Sequence, residues 1–176
     1  MVSLANVNRA PTSALVTRDA PKEPWRDAEW QKLWLALKAR SWTSLAIVPG
    51  DVGGPPDLPL TVAVTLARIG IMHLGAQIHV ADATRFSLVH LEQFTEEVRR
   101  MNQDGELVII ALPTIKENPI GVALARSASA SVLCILLGEM SSAEAKRTVD
   151  QIGPSNFIGS IVLEAPPPPV AVKASR

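Results

Sequence analysis

Residues 47–60, "IVPGDVGGPPDLPL", decide how the rest of the chain is read. An apolar, β-branched run stops at Pro49 and Gly50, turn residues fill Gly53, Gly54, Pro55 and Pro56, and an apolar run with helical spacing resumes near Leu60. A strand that passes through a glycine turn into a helix is the layout that holds phosphate on backbone N–H groups at a helix N-terminus. Proline has no N–H and restrains φ, so the two prolines stand where donors would be needed. The stretch predicts an α/β fold and leaves open whether its loop takes a phosphate.

Working outward, "DAEWQKLWLALKAR" (27–40) sets Trp30, Leu33, Trp34 and Leu37 on one stripe at helical spacing and predicts an amphipathic helix. A strand is expected over 44–48 and a buried helix over 60–74. Further strands are expected at 77–82, 106–112, 131–137 and 157–163, with helices at 88–102, 120–128 and 142–152 between them, the last N-capped by Ser142. Near-continuous apolar strands alternating with helices imply a mostly parallel sheet of about five strands in a three-layer α/β/α arrangement, because parallel strands need crossovers and are buried on both faces. Ligands of such sheets bind at the carboxyl ends of the strands. Chemistry is therefore sought in the loops beginning at Pro49, Asp82 and Pro113.

The chain has 176 residues, 47% of them hydrophobic, enough for one core. Seventeen basic residues balance seventeen acidic ones, so no global field favours nucleic acid or an anionic bilayer. The single cysteine, Cys134, lies in the apolar run "SVLCILL" and reads as a small buried hydrophobe, leaving no disulfide framework or Cys/His metal site. No stretch reaches the roughly 18 apolar residues of a membrane span, and the amino terminus lacks a signal-peptide core, which predicts a cytoplasmic protein whose membrane association would come through a partner. Residues 1–24 read as a flexible leader, 25–164 as the domain, and 165–176 as a proline-rich tail. Four prolines at 166–169 cannot join a sheet; they either recruit a groove-bearing partner or end the chain in solvent.

In order and spacing, residues 25–164 resemble the deviant P-loop ATPases, the group that includes the bacterial BY-type tyrosine kinases of polysaccharide export and the chromosome-partitioning and septum-site ATPases. "AEWQKLWLAL" looks like the helix before the first strand of those kinases, "VAVTLARIG" like the helix after their P-loop, and "LVIIALPT" like their third strand "VIIDTPP". "SVLCILLGEMSSAEAKRTVDQIG" followed by "FIGSIVLE" is similar to their last two strands and the helix between. The resemblance implies a P-loop NTPase-like fold, and it also identifies what has changed.

In that family a lysine reaches the β/γ-phosphates and a hydroxyl binds magnesium. Counting back from Gly70 sets the lysine position at Pro55 and the hydroxyl position at Pro56, with Gly54 ahead of them. The second loop, a pattern such as "LIDADLR" in the family, reads "HVADATR" here; Asp82 and Arg85 remain, and Asp82 is either a metal-linked acid or a turn residue. In the third loop the magnesium-organising aspartate is Ala111, with Glu117 six residues on read as a solvated charge. Glu164 stands where many relatives place an adenine-recognising asparagine. The kinases phosphorylate a tyrosine-rich tail, and this chain has no tyrosine.

Other constellations are weaker. His73, His79 and His90 fall at a helix end, a strand interior and a helix start, without ligand spacing. The serines of "ARSASASV" lack a nucleophile-elbow pattern. All four tryptophans, Trp25, Trp30, Trp34 and Trp42, lie in and around the first helix, where the stripe packs on the sheet or forms an interface with Trp25, Trp30 and Trp34 as candidates. The acidic and two basic residues that make subunit contacts in the resembled kinases fall at Ala28, Gln31 and Trp34.

The expectation is a catalytically silent protein, without cofactor or metal, that keeps the scaffold as a docking surface for a protein partner, either itself or a larger bacterial complex tied to polysaccharide export or spatial positioning. The residues Gly50, Gly53, Gly54, Pro55, Pro56, Asp82 and Ala111 are then the vestige of a site. The alternatives are a nucleotide-binding ATPase with a non-standard loop, using Lys116 or a neighbouring subunit's residue, and a small-molecule enzyme at Asp82 and Arg85.

Overall fold

The structure, a computed structural model, describes residues 4–5, 23–50, 56–138 and 140–164. Its strands are β1 (Leu4–Ala5), β2 (Ser44–Pro49), β3 (Ile78–Asp82), β4 (Leu107–Ala111), β5 (Ala130–Leu136) and β6 (Phe157–Leu163). Its α-helices are α1 (Ala28–Lys38), α2 (Leu58–Leu74), α3 (Leu91–Gln103), α4 (Ile120–Ser127) and α5 (Ser142–Ile152). The order across the sheet is β1-β3-β4-β2-β5-β6, with β2 to β6 parallel and β1 antiparallel to β3. The fold is α/β, with a five-strand parallel sheet between two helical layers.

Alternation along the strands divides the core. Leu45 and Ile47 of β2 point to one face with Trp34 and Leu37 of α1 and Val62, Leu66 and Ile69 of α2. Ala46 and Val48 point to the other, with Phe94 and Val98 of α3, Leu124 of α4 and Ile152 of α5. This period of two on a strand buried on both sides explains why all six residues of β2 are buried.

Only the chain leaving β2 turns to the α1/α2 face; the chains leaving β4 and β5, its two neighbours, turn to the opposite face. Diverging loops open a crevice at the carboxyl end of β2, the switch point of an open α/β sheet. Gly50, where the chain leaves β2, and Pro56 and Asp57, where it enters α2, therefore lie on the side of the fold where a ligand would bind.

Two details differ from the sequence reading. The N-cap of α5 is Ser141, one residue before the expected Ser142: its hydroxyl accepts from Glu144 N at 3.3 Å while Glu144 Oε2 accepts from Ser141 N at 3.0 Å, a reciprocal box that Ser142 has no carboxylate to form. Within the segment read as leader, Leu4–Ala5 pairs with Ala81 and Val80, covering an edge of β3 that would otherwise leave backbone groups unpaired. Residues 1–3 and 6–22 of that segment and the proline tail lie outside the described residues. Among the described residues no helix is long and apolar enough to cross a membrane.

Candidate functional site

The crest of the sheet, at the carboxyl ends of β2, β3, β4 and β5, assembles four of the singled-out residues; Gly53, Gly54 and Pro55 lie outside the described residues. Gly50 leaves β2 and donates its N–H to Cys134 O of β5 at 2.8 Å, so that amide is spent inside the sheet. Above it, a Cβ at position 50 would stand 2.1 Å from Met140 Sδ and 3.2 Å from Cys134 O. Only hydrogen fits there, and the Met140 thioether packs on the crevice beside β2.

Pro56 is an exposed turn residue directly ahead of α2. Asp57 is the N-cap of that helix, making no side-chain capping bond, and Pro59 stands in the first turn. A helix N-terminus attracts anions through its free N–H groups and dipole. Here the Asp57 carboxylate makes no bond to those N–H groups, and Pro59 brings no donor. The signal for this start was in the sequence, since Asp followed by proline in the first turn marks a helix entrance.

Asp82 ends β3 and pairs in register with Ala111, the last residue of β4, which also pairs with Ile47 of β2. Asp82 Oδ1 accepts from Thr84 N at 3.0 Å and from Thr84 Oγ1 at 2.6 Å, the geometry of a turn-forming aspartate. Ala111 is completely buried, and its carbonyl accepts from Ala83 N at 2.9 Å. Arg85 is exposed nearby. The structure brings Asp82 and Ala111 together and makes their contacts those of a sheet end.

Magnesium-bound polyphosphate takes lysine, a hydroxyl and an acidic side chain. Among the described residues the hydroxyl position is Pro56, the third-loop acid is a buried methyl at Ala111, and the remaining acid, Asp82, accepts from Thr84, a set that does not fit that group. Glu117 accepts from Thr114 Oγ1 at 2.8 Å and is exposed, and Glu164 is exposed past β6. Lys116 lies close enough to Glu144 that its charge helps lower the Glu144 carboxyl, after the larger effect of the hydrogen bonds from Ser141.

The tryptophans divide. Trp34 is 1% exposed, its ring edge-on to Trp42 at 6.0 Å between centroids, so it belongs to the core and is removed from the interface candidates. The cause is the close approach of α1 and α2 at Gly70, where a Cβ would come within 2.4 Å of the indole. Trp25, beneath the Arg68 guanidinium at 5.6 Å, and Trp30 are half-buried on the rim. With Trp34 inside and Ala28 and Gln31 exposed, the three positions matched to the kinase contact do not form one surface. A cleft of about 310 Å³ opens between Trp25, Leu35, Ile69, Met72 and His73.

His73 ends α2, His79 lies in β3 with Nε2 3.1 Å from Glu106 Oε2, and His90 closes the turn before α3 beside Ser87. Among the described residues no group of three or more His, Cys, Asp or Glu gathers that could hold a metal. Burial pushes the Cys134 thiol up to about 11, the behaviour of a core residue. Met140 is the crest residue that sequence reasoning missed, and no local pattern announces it.

No protein-family model and no curated protein matches the chain. Among solved structures it is similar to one titled "BceF Tyrosine Kinase Domain", with a TM-score of 0.53 and 14% identity over 78% of this chain and 75% of that one. At that identity the likeness concerns the fold.

Proposed function

We propose that the chain is a non-catalytic subunit that retains a P-loop-kinase-like fold as a scaffold or regulatory surface for protein partners in a bacterial assembly, of the kind that polysaccharide-export kinases or positioning ATPases serve. The observation that carries this reading is Ala111. It lies at the end of β4 beside Asp82 and β2, where the resemblance expects the acid that organises magnesium, and it is a methyl group sealed in the core. Phosphoryl transfer is catalysed by positioning and by charge stabilisation, with little covalent work for the protein. A crest with a proline at position 56 and no acid at position 111 lacks two of the groups that such stabilisation draws on. The absence of tyrosine separately excludes tyrosine autophosphorylation.

The test is titration calorimetry of the full chain with ATP and magnesium, alongside phosphate release. The expected outcome is no saturable heat and no turnover. Magnesium-dependent binding with a Kd on the order of micromolar, about −8 kcal/mol, overturns the proposal and favours a nucleotide-binding ATPase with a non-standard loop. Nucleotide-dependent dimerisation would support that rival in the same way.

A further inference from the structure

The two edges of the sheet are treated differently. The edge of β3 is covered by β1, whereas among the described residues β6 ends the sheet with β5 as its one neighbour. Strand edges expose N–H and C=O groups and are usually guarded by charge, proline or a bulge. Phe157–Leu163, "FIGSIVL", contains no charged residue and no proline. One bulge guards its start: Ser131 pairs with Phe157 and Val132 with Gly159, so Ile158 is skipped. From Gly159 onward the ladder with β5 is regular to Leu163.

That regular stretch is firmly backed and, among the described residues, bare on one side. Ile161 is buried, and Ile158 and Leu163 pack on the α1/α2 core. Ser160 and Val162 on the other face are exposed, Val162 at 53%, and Leu137, just past β5, is 51% exposed with its N–H bonded to Leu163 O at 2.9 Å. A Cβ at Gly159 would meet nothing within 4 Å.

The chain beyond β6 supplies a poor cover. The stretch after Glu164 begins with Ala165 and four prolines at 166–169. Folding straight back, those prolines would lie against the ladder positions without any N–H to donate. The described part of the leader is committed to the opposite edge of the sheet. An antiparallel strand that carries both donors and acceptors fits, and a second β6 is such a strand, because antiparallel pairing about a two-fold axis is self-complementary.

We propose that the outer edge of β6 is a homodimer seam, in which residues 159–163 pair antiparallel with the same residues of a second copy and Val162 and Leu137 of both copies form one apolar strip. The seam makes one continuous sheet through the two protomers. It lies away from the crest of β2 and stands whether or not the crest binds nucleotide.

Analytical ultracentrifugation of the full chain from about 1 to 300 µM tests it. The mass is expected to rise to that of a dimer without nucleotide, and Val162→Lys, which sets like charges beside the two-fold, to weaken dimerisation at least about tenfold with an unchanged circular dichroism spectrum. A spin label on Ser160→Cys, with the buried Cys134 unlabelled, is expected to report an inter-copy distance under about 20 Å and reads the seam even if Val162→Lys fails to fold. A monomer throughout the range, a dimer indifferent to Val162→Lys, a longer label distance, or a dimer that forms only with ATP and magnesium each overturns the seam.

Discussion

Gly50 and Gly70 are both positions where the surroundings leave room for hydrogen alone, but they meet different neighbours. At Gly70, within α2, an added Cβ would stand 2.3 Å from Ile78 Cδ1 and 2.4 Å from the Trp34 ring. That ring is buried edge-on to Trp42 in a close-packed core. At Gly50, on the crest, the added atom would meet the end of a flexible methionine, with a fixed carbonyl farther off at 3.2 Å. The helical layer on the α1/α2 face is closed by a rigid aromatic contact, the crest by a soft and movable one. A fold fastened in that layer keeps its sheet whatever happens to the chemistry of the loop.

The strongest way to break this comparison is Gly70→Ala. Overpacking a rigid site costs about 1–3 kcal/mol and occasionally more, set against a helix-propensity gain of about 1 kcal/mol. Because both Ile78 and Trp34 must move, the cost is placed at the upper end, about 3 kcal/mol, and a net loss of about 2 kcal/mol is expected, read as a lower urea midpoint at constant m-value. A change within about 0.5 kcal/mol of zero would show that the indole has room to move and that the two glycines are alike.

Cys134 sharpens the comparison because it belongs to both regions: its carbonyl holds Gly50 at the crest, and its thiol lies in the tryptophan-side core. Burial raises the thiol from 9.0 to about 11. Below pH 9 the thiol is protonated in folded and unfolded chains alike, and its contribution to stability is complete. As pH rises from 9 toward 11 the unfolded chain loses its proton first, and that contribution, on the order of 2 kcal/mol, is lost. Denaturant titrations across this window are expected to show the decline, and Cys134→Ala to flatten that part of it. An equal decline in Cys134→Ala would assign the effect to other groups and leave the core at β5 looser than described.

Much of this architecture was readable beforehand, for physical reasons. Strands such as Leu107–Ala111 and Ala130–Leu136 are nearly continuous apolar runs, because both faces of a parallel sheet are covered. The Ser141 cap was legible in principle, since Ser141 and Glu144 have the spacing of a capping box and Ser142 does not. Trp34 was different. An amphipathic stripe says which side of α1 faces inward, but the depth of one ring is set by Gly70 and Ile78, far along the chain. Asp82 and Ala111 were each placed at a strand's carboxyl end by loop order, while their adjacency and the commitment of Asp82 to Thr84 are set by the strand order and by contacts that loop order does not encode. Met140 reaches the crest from the loop before α5, and its contact with Gly50 is long-range packing that no local signal encodes.

The smallest expected effect tests the crest itself. Gly50→Ala forces Met140 Sδ away from its 2.1 Å approach and presses on Cys134 O at 3.2 Å. A thioether with three rotatable bonds yields easily, so the loss is expected at about 1 kcal/mol, below that of Gly70→Ala. Because the main clash is with one side chain, Met140→Ala in the Gly50→Ala background is expected to recover more than half of it, a coupling of about 0.5 kcal/mol or more in a double-mutant cycle. The carbonyl contact is what remains, since backbone in a paired strand has little freedom to retreat. Strictly additive effects of the two substitutions would mean that Met140 does not close the crevice beside β2, and the contrast between a soft crest and a rigid helical layer would fail at its softer end.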